Sequence, residues 1–209
     1  MHGEPLKKRA IAFVDGQNLY HYARESFGYT YPNYDVTALG QRICLQKGWN
    51  LTQVRFYTGV PDHHDNPFWN YFWSHKLAML GRQGGITSHR SLRYRNQRVK
   101  LQDGTKHVLL VEEEKGIDVR IGIDIIRMAH QNKYDIAIIF SQDQDLSEVA
   151  TEIRTVAREQ DRWIKIASAF PISPISANRR GINKTDWIPI DRTTYDACLD
   201  KRDYRPKTN

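Results

Sequence analysis

The stretch Tyr134-Asp135-Ile136-Ala137-Ile138-Ile139-Phe140-Ser141-Gln142-Asp143-Gln144-Asp145-Leu146-Ser147-Glu148-Val149 decides the fold. Its isoleucine-rich apolar run, bounded by polar residues, has the composition of a parallel strand buried on both faces. The helix-spaced apolar positions that follow predict a strand, a tight turn and a helix. The turn carries two carboxylates, Asp143 and Asp145, separated by a single residue. Open α/β sheets bind ligands outside the carboxyl ends of their strands, so these side chains stand where such a fold does its chemistry.

Working outward, Ala10-Ile11-Ala12-Phe13-Val14 repeats the pattern and ends in Asp15-Gly16-Gln17-Asn18 before the apolar positions of a helix. Asp15 and Asn18 can serve as turn and capping residues. A carboxylate placed twice after a buried strand nevertheless predicts a shared site, provided the two strands are parallel neighbours. Between these units, Asp35 or Thr37 opens a helix ending near Gly48. Residues 53–58 alternate as a strand, and Phe68, Trp69, Phe72, Trp73, Leu77 and Leu80 mark a helix whose aromatic stripe is read as core, with stacking on nucleobases as the alternative. His63 and His64 are adjacent and point apart, which suits a solvated loop better than a metal site.

Over residues 86–111 the pattern changes to alternating segments, with turns expected at Asn96-Gln97 and Asp103-Gly104. Arg90, Arg93, Arg95, Arg98 and Lys100 crowd this segment, and guanidinium groups pair bidentately with phosphate oxygens. Ile117, Ile121, Ile125 and Met128 then describe a helix buried over much of its circumference. Asp118 lies in its first turn, where the helix dipole tolerates an anion. Asp124 stands four residues after Arg120 and three before Arg127, a spacing that an intrahelical ion pair would explain. Asp118 is the better site candidate, because a carboxylate on so apolar a helix needs a partner or a cation.

After the central turn, Asp145 and Glu148 loosely match a capping box, so Asp145 has a structural explanation that Asp143 lacks. Residues 163–167 predict a further strand, Arg179, Arg180 and Lys184 a second basic cluster, and residues 187–190 a segment that closes or covers the sheet. Residues 1–8 and 200–209 are expected to be flexible termini.

The chain of 209 residues is long enough for one substantial core and contains no Pro/Gly/Ser linker. Its formal net charge of +7 suggests an anionic partner, with nucleic acid the commonest. Two distant cysteines, Cys44 and Cys198, indicate neither a disulfide framework nor a zinc site, and fit a reducing cytoplasm. No apolar run reaches the roughly 20 residues of a membrane span, and the N-terminus lacks a signal-peptide core.

Four segments together resemble, in order, the motifs of NYN domains, which belong to the PIN-like nuclease superfamily and include the LabA-like proteins. They are Phe13-Val14-Asp15-Gly16-Gln17-Asn18, Lys115-Gly116-Ile117-Asp118-Val119 followed by Asp124, Phe140-Ser141-Gln142-Asp143-Gln144-Asp145-Leu146, and Asp186-Trp187-Ile188. The resemblance spans residues 9–191 as one domain. It implies a PIN-like, Rossmann-like three-layer α/β sandwich with a central mainly parallel sheet, to which the basic β-hairpin would be an insertion. It further implies an acidic pocket for Mg²⁺ or Mn²⁺ in which Asp15, Asp118, Asp143 and Asp145 are metal and catalytic carboxylates. Asn18 and Ser141 would be neighbouring polar groups, and Asp124 matches a further acidic position. The implied activity is that of a metal-dependent endoribonuclease, with RNA favoured over DNA. Arg90, Arg93, Arg95, Arg98, Lys100, Lys115, Arg179 and Arg180 would hold the polymer. In this chain Gln142 and Gln144 replace the Gly and second Ser usual in the family turn, and Leu146 replaces a Phe. A Cβ where Gly is usual can reshape a turn. Two other readings of the same residues are a nucleic-acid-binding module that does not cleave and a phosphatase acting on small phosphoesters. Association into a homodimer is left open.

Overall fold

Alternation along Arg9–Asp15 (β1) explains the layers. Ala10, Ala12 and Val14 face one apolar cluster, while Ile11 and Phe13 face a second on the other side of the sheet. A strand buried on both faces needs helices on both, and the chain supplies them. The computed structural model describes residues 3–100, 106–113 and 116–207, with the backbone alone for 93–100 and 106–113.

Helices α1 (Gly16–Phe27), α2 (Val36–Lys47) and α3 (Pro67–Arg82) contribute to the first cluster. Helices α4 (Ile117–His130) and α5 (Ser147–Glu159) contribute to the second. Strands β2 (Asn50–Val60), β3 (Ile86–Ser91), β6 (Ile136–Phe140), β7 (Lys165–Pro171) and β8 (Asp186–Ile190) join β1 in a six-stranded sheet of order β3-β2-β1-β6-β7-β8. All five pairings are parallel, and a short helix α6 (Arg192–Asp196) follows. This is the expected three-layer α/β sandwich. From β1 the chain steps outward through β2 to β3, then returns to β6 on the other side of β1, so the crevice between β1 and β6 is the topological switch point. No described helix is long and apolar enough to cross a membrane.

Local signals set most boundaries. Asp35 Oδ1 accepts from the N–H groups of Thr37 and Ala38 to start α2, and Gly48 at φ 68° ends it. Asn66 caps α3 with Pro67 in the first turn. The basic segment forms the expected antiparallel hairpin but departs from expectation in two details. Residues 86–91 are a parallel edge strand of the main sheet, and β4 (Arg93–Lys100) pairs antiparallel with β5 (Lys106–Glu113) as a separate two-stranded ribbon. Asn96-Gln97 is no turn: Asn96 pairs with Leu110 and Gln97 with Leu109 inside an unbroken strand. Alternation alone does not separate a straight strand from two short ones. The Asp103-Gly104 turn and Lys115 lie outside the described residues, as do the side chains of Arg93, Arg95, Arg98 and Lys100.

The C-terminal segment also departs from expectation, because described residues 200–207 pack on the body. Lys76, buried on α3, donates to the Tyr34 carbonyl at 2.8 Å and to Asp200 Oδ2 at 3.4 Å. Tyr204 donates its hydroxyl to the same Asp200 oxygen at 2.7 Å and sets its ring edge-on to Phe72. Burial lowers the pKa of Lys76, and the Asp200 charge opposes that shift. A buried ammonium needs an anion, and the tail brings it. Replacing Asp200 by Ala is therefore expected to destabilise the fold by about 1–3 kcal/mol, read as a lowered Tm; an unchanged Tm would mean that the tail bears no load.

Candidate active site

Asp15 ends β1 and begins α1 in one residue. Its Oδ1 accepts the Asn18 N–H at 3.0 Å, so the carboxylate is fixed by the cap it forms. The following glycine is required by packing: a Cβ on Gly16 would run into the Phe56 ring and stand 3.1 Å from the Tyr57 carbonyl oxygen. On the adjacent strand, Val14 is in register with Phe140, and the turn after Phe140 carries Ser141, Gln142 and Asp143. Asn18 joins the two turns, its Oδ1 accepting from Gln142 N at 2.9 Å. Ser141 Oγ accepts from Asp143 N at 3.1 Å. Both residues thus hold the acidic turns in place, which gives physical content to their expected role as neighbouring polar groups.

The structure reverses the expected capping roles. Asp143 Oδ1 accepts the Asp145 N–H at 3.0 Å and caps a single 3-10 turn, Gln144–Leu146, that leads into α5. Asp145 is exposed inside that turn. Asp118 occupies the first turn of α4, whose N-cap is Gly116 at φ 74°. Asp15 is only 8 % exposed. Burial first, and then the charges of Asp143 and Asp118, raise its pKa from 3.8 to about 6 against the lowering effect of the Asn18 N–H. The charges of Asp118 and Asp143 thus both act on Asp15 at the switch point, and Asp145 follows in the turn that Asp143 caps.

Asp124 stands apart. It is fully buried, and its oxygens accept from Tyr57 Oη at 2.9 Å, Arg55 Nη2 at 3.1 Å, Arg120 Nε at 3.2 Å and Arg127 Nη2 at 2.9 Å. The ion pairs suggested by its helical spacing are present, and β2 adds Arg55 and Tyr57 to them. A carboxylate surrounded by three guanidinium groups is a bolt between α4 and β2, so we correct its assignment as a metal ligand.

Donor chemistry decides which cation the remaining acids suit. They are hard oxygen ligands, with neither His nor Cys among them. Among the described residues no group of three His, Cys, Asp or Glu side chains could hold a metal ion by itself. Mg²⁺ keeps several waters and is commonly held by one or two carboxylates, so the set suits a partly hydrated hard cation and does not suit zinc. The mutual repulsion carried by Asp15 is the strain that such a cation would relieve.

Cationic groups flank the acids. A Cβ on Gly116 would come within 2.8 Å of Arg90 Nη1, which places the guanidinium of β3 against the start of α4, two residues from Asp118. Arg179 and Arg180 are exposed on the loop after β7. The two glutamines that depart from the family turn tie down this loop. Gln142 Nε2 donates to the Arg180 carbonyl at 2.7 Å, and Gln144 Nε2 donates to the Gly181 carbonyl at 3.1 Å. Gln144 Oε1 also accepts from Asn183 N at 3.1 Å. Sequence reading noticed both residues and missed this function, because their partners lie more than thirty positions away.

Comparison with known proteins agrees with this architecture. A solved protein of unknown function from Vibrio parahaemolyticus shares the fold at a TM-score of 0.52 and 19% identity, with 91% of this chain and 98% of that chain covered. A deacetylase of the teicoplanin biosynthesis pathway (TM-score 0.33, 15% identity, 76% and 68% covered) and MurG of Acinetobacter baumannii (TM-score 0.34, 11% identity, 87% and 45% covered) are too distant to carry an argument. No curated protein matches the chain significantly. The model of the NYN domain matches residues 9–160, although the sheet itself runs on through β7 and β8. That match covers most of the chain, including Asp15, Asp118, Asp143 and Asp145, and so the chain belongs to the NYN domain family, with the PIN-like architecture that its motifs implied.

Proposed function

We propose that this protein is a metal-dependent nuclease that hydrolyses phosphodiester bonds, with RNA as its polymer. The observation that carries the reading is that the charges of Asp143 and Asp118 both act on the buried carboxyl of Asp15, which ends β1 at the switch point between β1 and β6. Family membership supports nuclease chemistry, and the basic composition supports a polyanionic substrate. A Mg²⁺ or Mn²⁺ that keeps several of its waters would be held by carboxylates drawn from Asp15, Asp118, Asp143 and Asp145. A cation held there supplies charge neutralisation at the phosphoryl group and an acidified water. Asn18 and Ser141 keep the two acidic turns in register. Arg90 lies on the same edge and meets phosphate oxygens, and the β4–β5 ribbon with Arg179 and Arg180 holds the strand by its backbone with little sequence preference.

The deciding experiment incubates end-labelled single-stranded RNA and matching DNA with the full chain in Mn²⁺ or in EDTA. Cleavage of RNA that needs the metal is the expected result. If RNA binds but stays intact in Mn²⁺, the non-cleaving module replaces the nuclease. What favours that second reading is the lack of a ready-made metal cage among the described residues. Binding itself should be salt-sensitive: for four phosphate contacts on a single strand, affinity falls about 50-fold between about 50 and 200 mM salt. Salt-independent binding would remove the backbone-contact account.

A further inference from the structure

An open cleft of about 230 Å³ reaches the start of α1, lined by Tyr20, Trp69 and Trp73 together with Gln17, Arg24 and Leu92. Sequence reading favoured the core over base stacking for this aromatic stripe, and Phe72, Trp73, Leu77 and Leu80 are indeed buried. Trp69 is only partly covered, however, and faces Tyr20 with ring centroids 6.5 Å apart at 52°. Both rings are held before any ligand arrives. Tyr20 Oη donates to the Thr30 carbonyl at 2.8 Å, and the Trp69 ring packs edge-on to Phe72 at 5.3 Å. The backbone N–H of Trp69 is also bound by the Asn66 cap at 3.3 Å.

The position of the cleft is as informative as its lining. Gln17 is two residues from Asp15. On the other side, Leu92 hydrogen-bonds to the Val60 carbonyl and immediately precedes Arg93, where the basic ribbon begins. Arg24 is exposed at the same cleft. A polyanion running from the ribbon to the carboxylates therefore crosses this opening. The volume is below the ~300–1,000 Å³ of ordinary small-molecule sites, which suits one flat ring system. Aromatic side chains bind any base through its π-face, and Arg24 answers the phosphate that accompanies it.

We propose that this cleft is a base-binding subsite: it takes one unpaired nucleobase of a single strand, stacked on Trp69 and Tyr20, next to the phosphate presented to the acids. The inference rests on the nucleic-acid reading of the neighbouring carboxylates. A duplex keeps its bases stacked on one another and cannot use the cleft, so the subsite selects single strands.

The test measures binding by the full chain carrying Asp143→Asn, which leaves the strand uncut. The probes are an oligouridylate, an abasic strand of the same length and an RNA duplex. Adding Trp69→Ala is expected to weaken oligouridylate binding about 10–100-fold. Binding of the abasic strand and the duplex should not change, and Trp69→Phe should restore most of the loss. Equal binding of oligouridylate with and without the Trp69 ring, or equal affinity for the base-containing and abasic strands, overturns the subsite. Cleavage by the unmodified protein is scored separately. Trp69-dependent binding without cleavage sinks the nuclease and keeps the subsite, whereas cleavage indifferent to Trp69 sinks the subsite alone.

Discussion

Asp15→Asn is expected to abolish metal-dependent cleavage while making the metal-free protein more stable. Asn caps a helix as well as Asp, so α1 keeps its first turn, and only the buried charge is lost. On the nuclease reading, removing this charge should lower the rate by about 10²–10³-fold or more, to below detection in a gel assay. The stability gain follows from the carboxyl being raised to about 6. For a group raised on folding, the contribution to stability is complete below the unfolded value and is lost as pH rises through the folded one. In EDTA the unmodified protein should therefore lose about 3 kcal/mol between about pH 4 and pH 7 relative to the variant. In a chain of this size that corresponds to a Tm difference of about 6–12 °C. Adding Mg²⁺ or Mn²⁺ should shrink the gap, because the cation stabilises only the protein with an intact site. Parallel pH profiles for the two proteins in EDTA would show that burial and its acidic neighbours do not raise the Asp15 carboxyl.

Asp124→Ala should do the opposite, leaving the chemistry and weakening the fold. Removing the buried carboxylate leaves the largely buried Arg55 guanidinium without its anion, at a cost of about 3–5 kcal/mol. Thermal melts should fall by about 6–20 °C, while cleavage per folded molecule is retained. Burial alone would push the Asp124 carboxyl up, but the Tyr57 hydroxyl and the charges of Arg55 and Arg120 outweigh it and hold the group below its ordinary range. For a lowered carboxyl, the stabilisation is present above the unfolded value and disappears as pH falls through the folded one. The unmodified protein and the variant should therefore converge in acid. A variant that melts normally but no longer responds to the cation would return Asp124 to the metal site.

What could be read from the sequence was local. The apolar runs ending at Asp15 and before Ser141 announced buried strands and acidic turns, because strand burial and turn chemistry are written in neighbouring residues. Gly48 marked the end of α2 for the same reason, and Asp35, one of two candidate starts, is its cap. The ion pairs of Asp124 with Arg120 and Arg127 follow from helical spacing, whereas Arg55 arrives from another element 69 positions away. Lys76 and Asp200 are separated by 124 positions, so no periodicity could have revealed that the tail is held. The exchange of capping roles between Asp143 and Asp145 turned on the 3-10 turn between strand and helix, which two acids with one residue between them do not specify.

The glutamine ties between the central turn and the loop bearing Arg179 and Arg180 bear on how this chain can change. Loop and turn are not separate modules, because Gln142 and Gln144 hold the loop at three points through its own backbone: the Arg180 and Gly181 carbonyls and the Asn183 amide. Substitutions in the two segments should be non-additive, with coupling energies of about 0.5–3 kcal/mol in a double-mutant cycle. A loop grafted from a relative with Gly and Ser in the turn would arrive without its anchors. The two segments are expected to have been inherited, and to need re-engineering, as a single epistatic block.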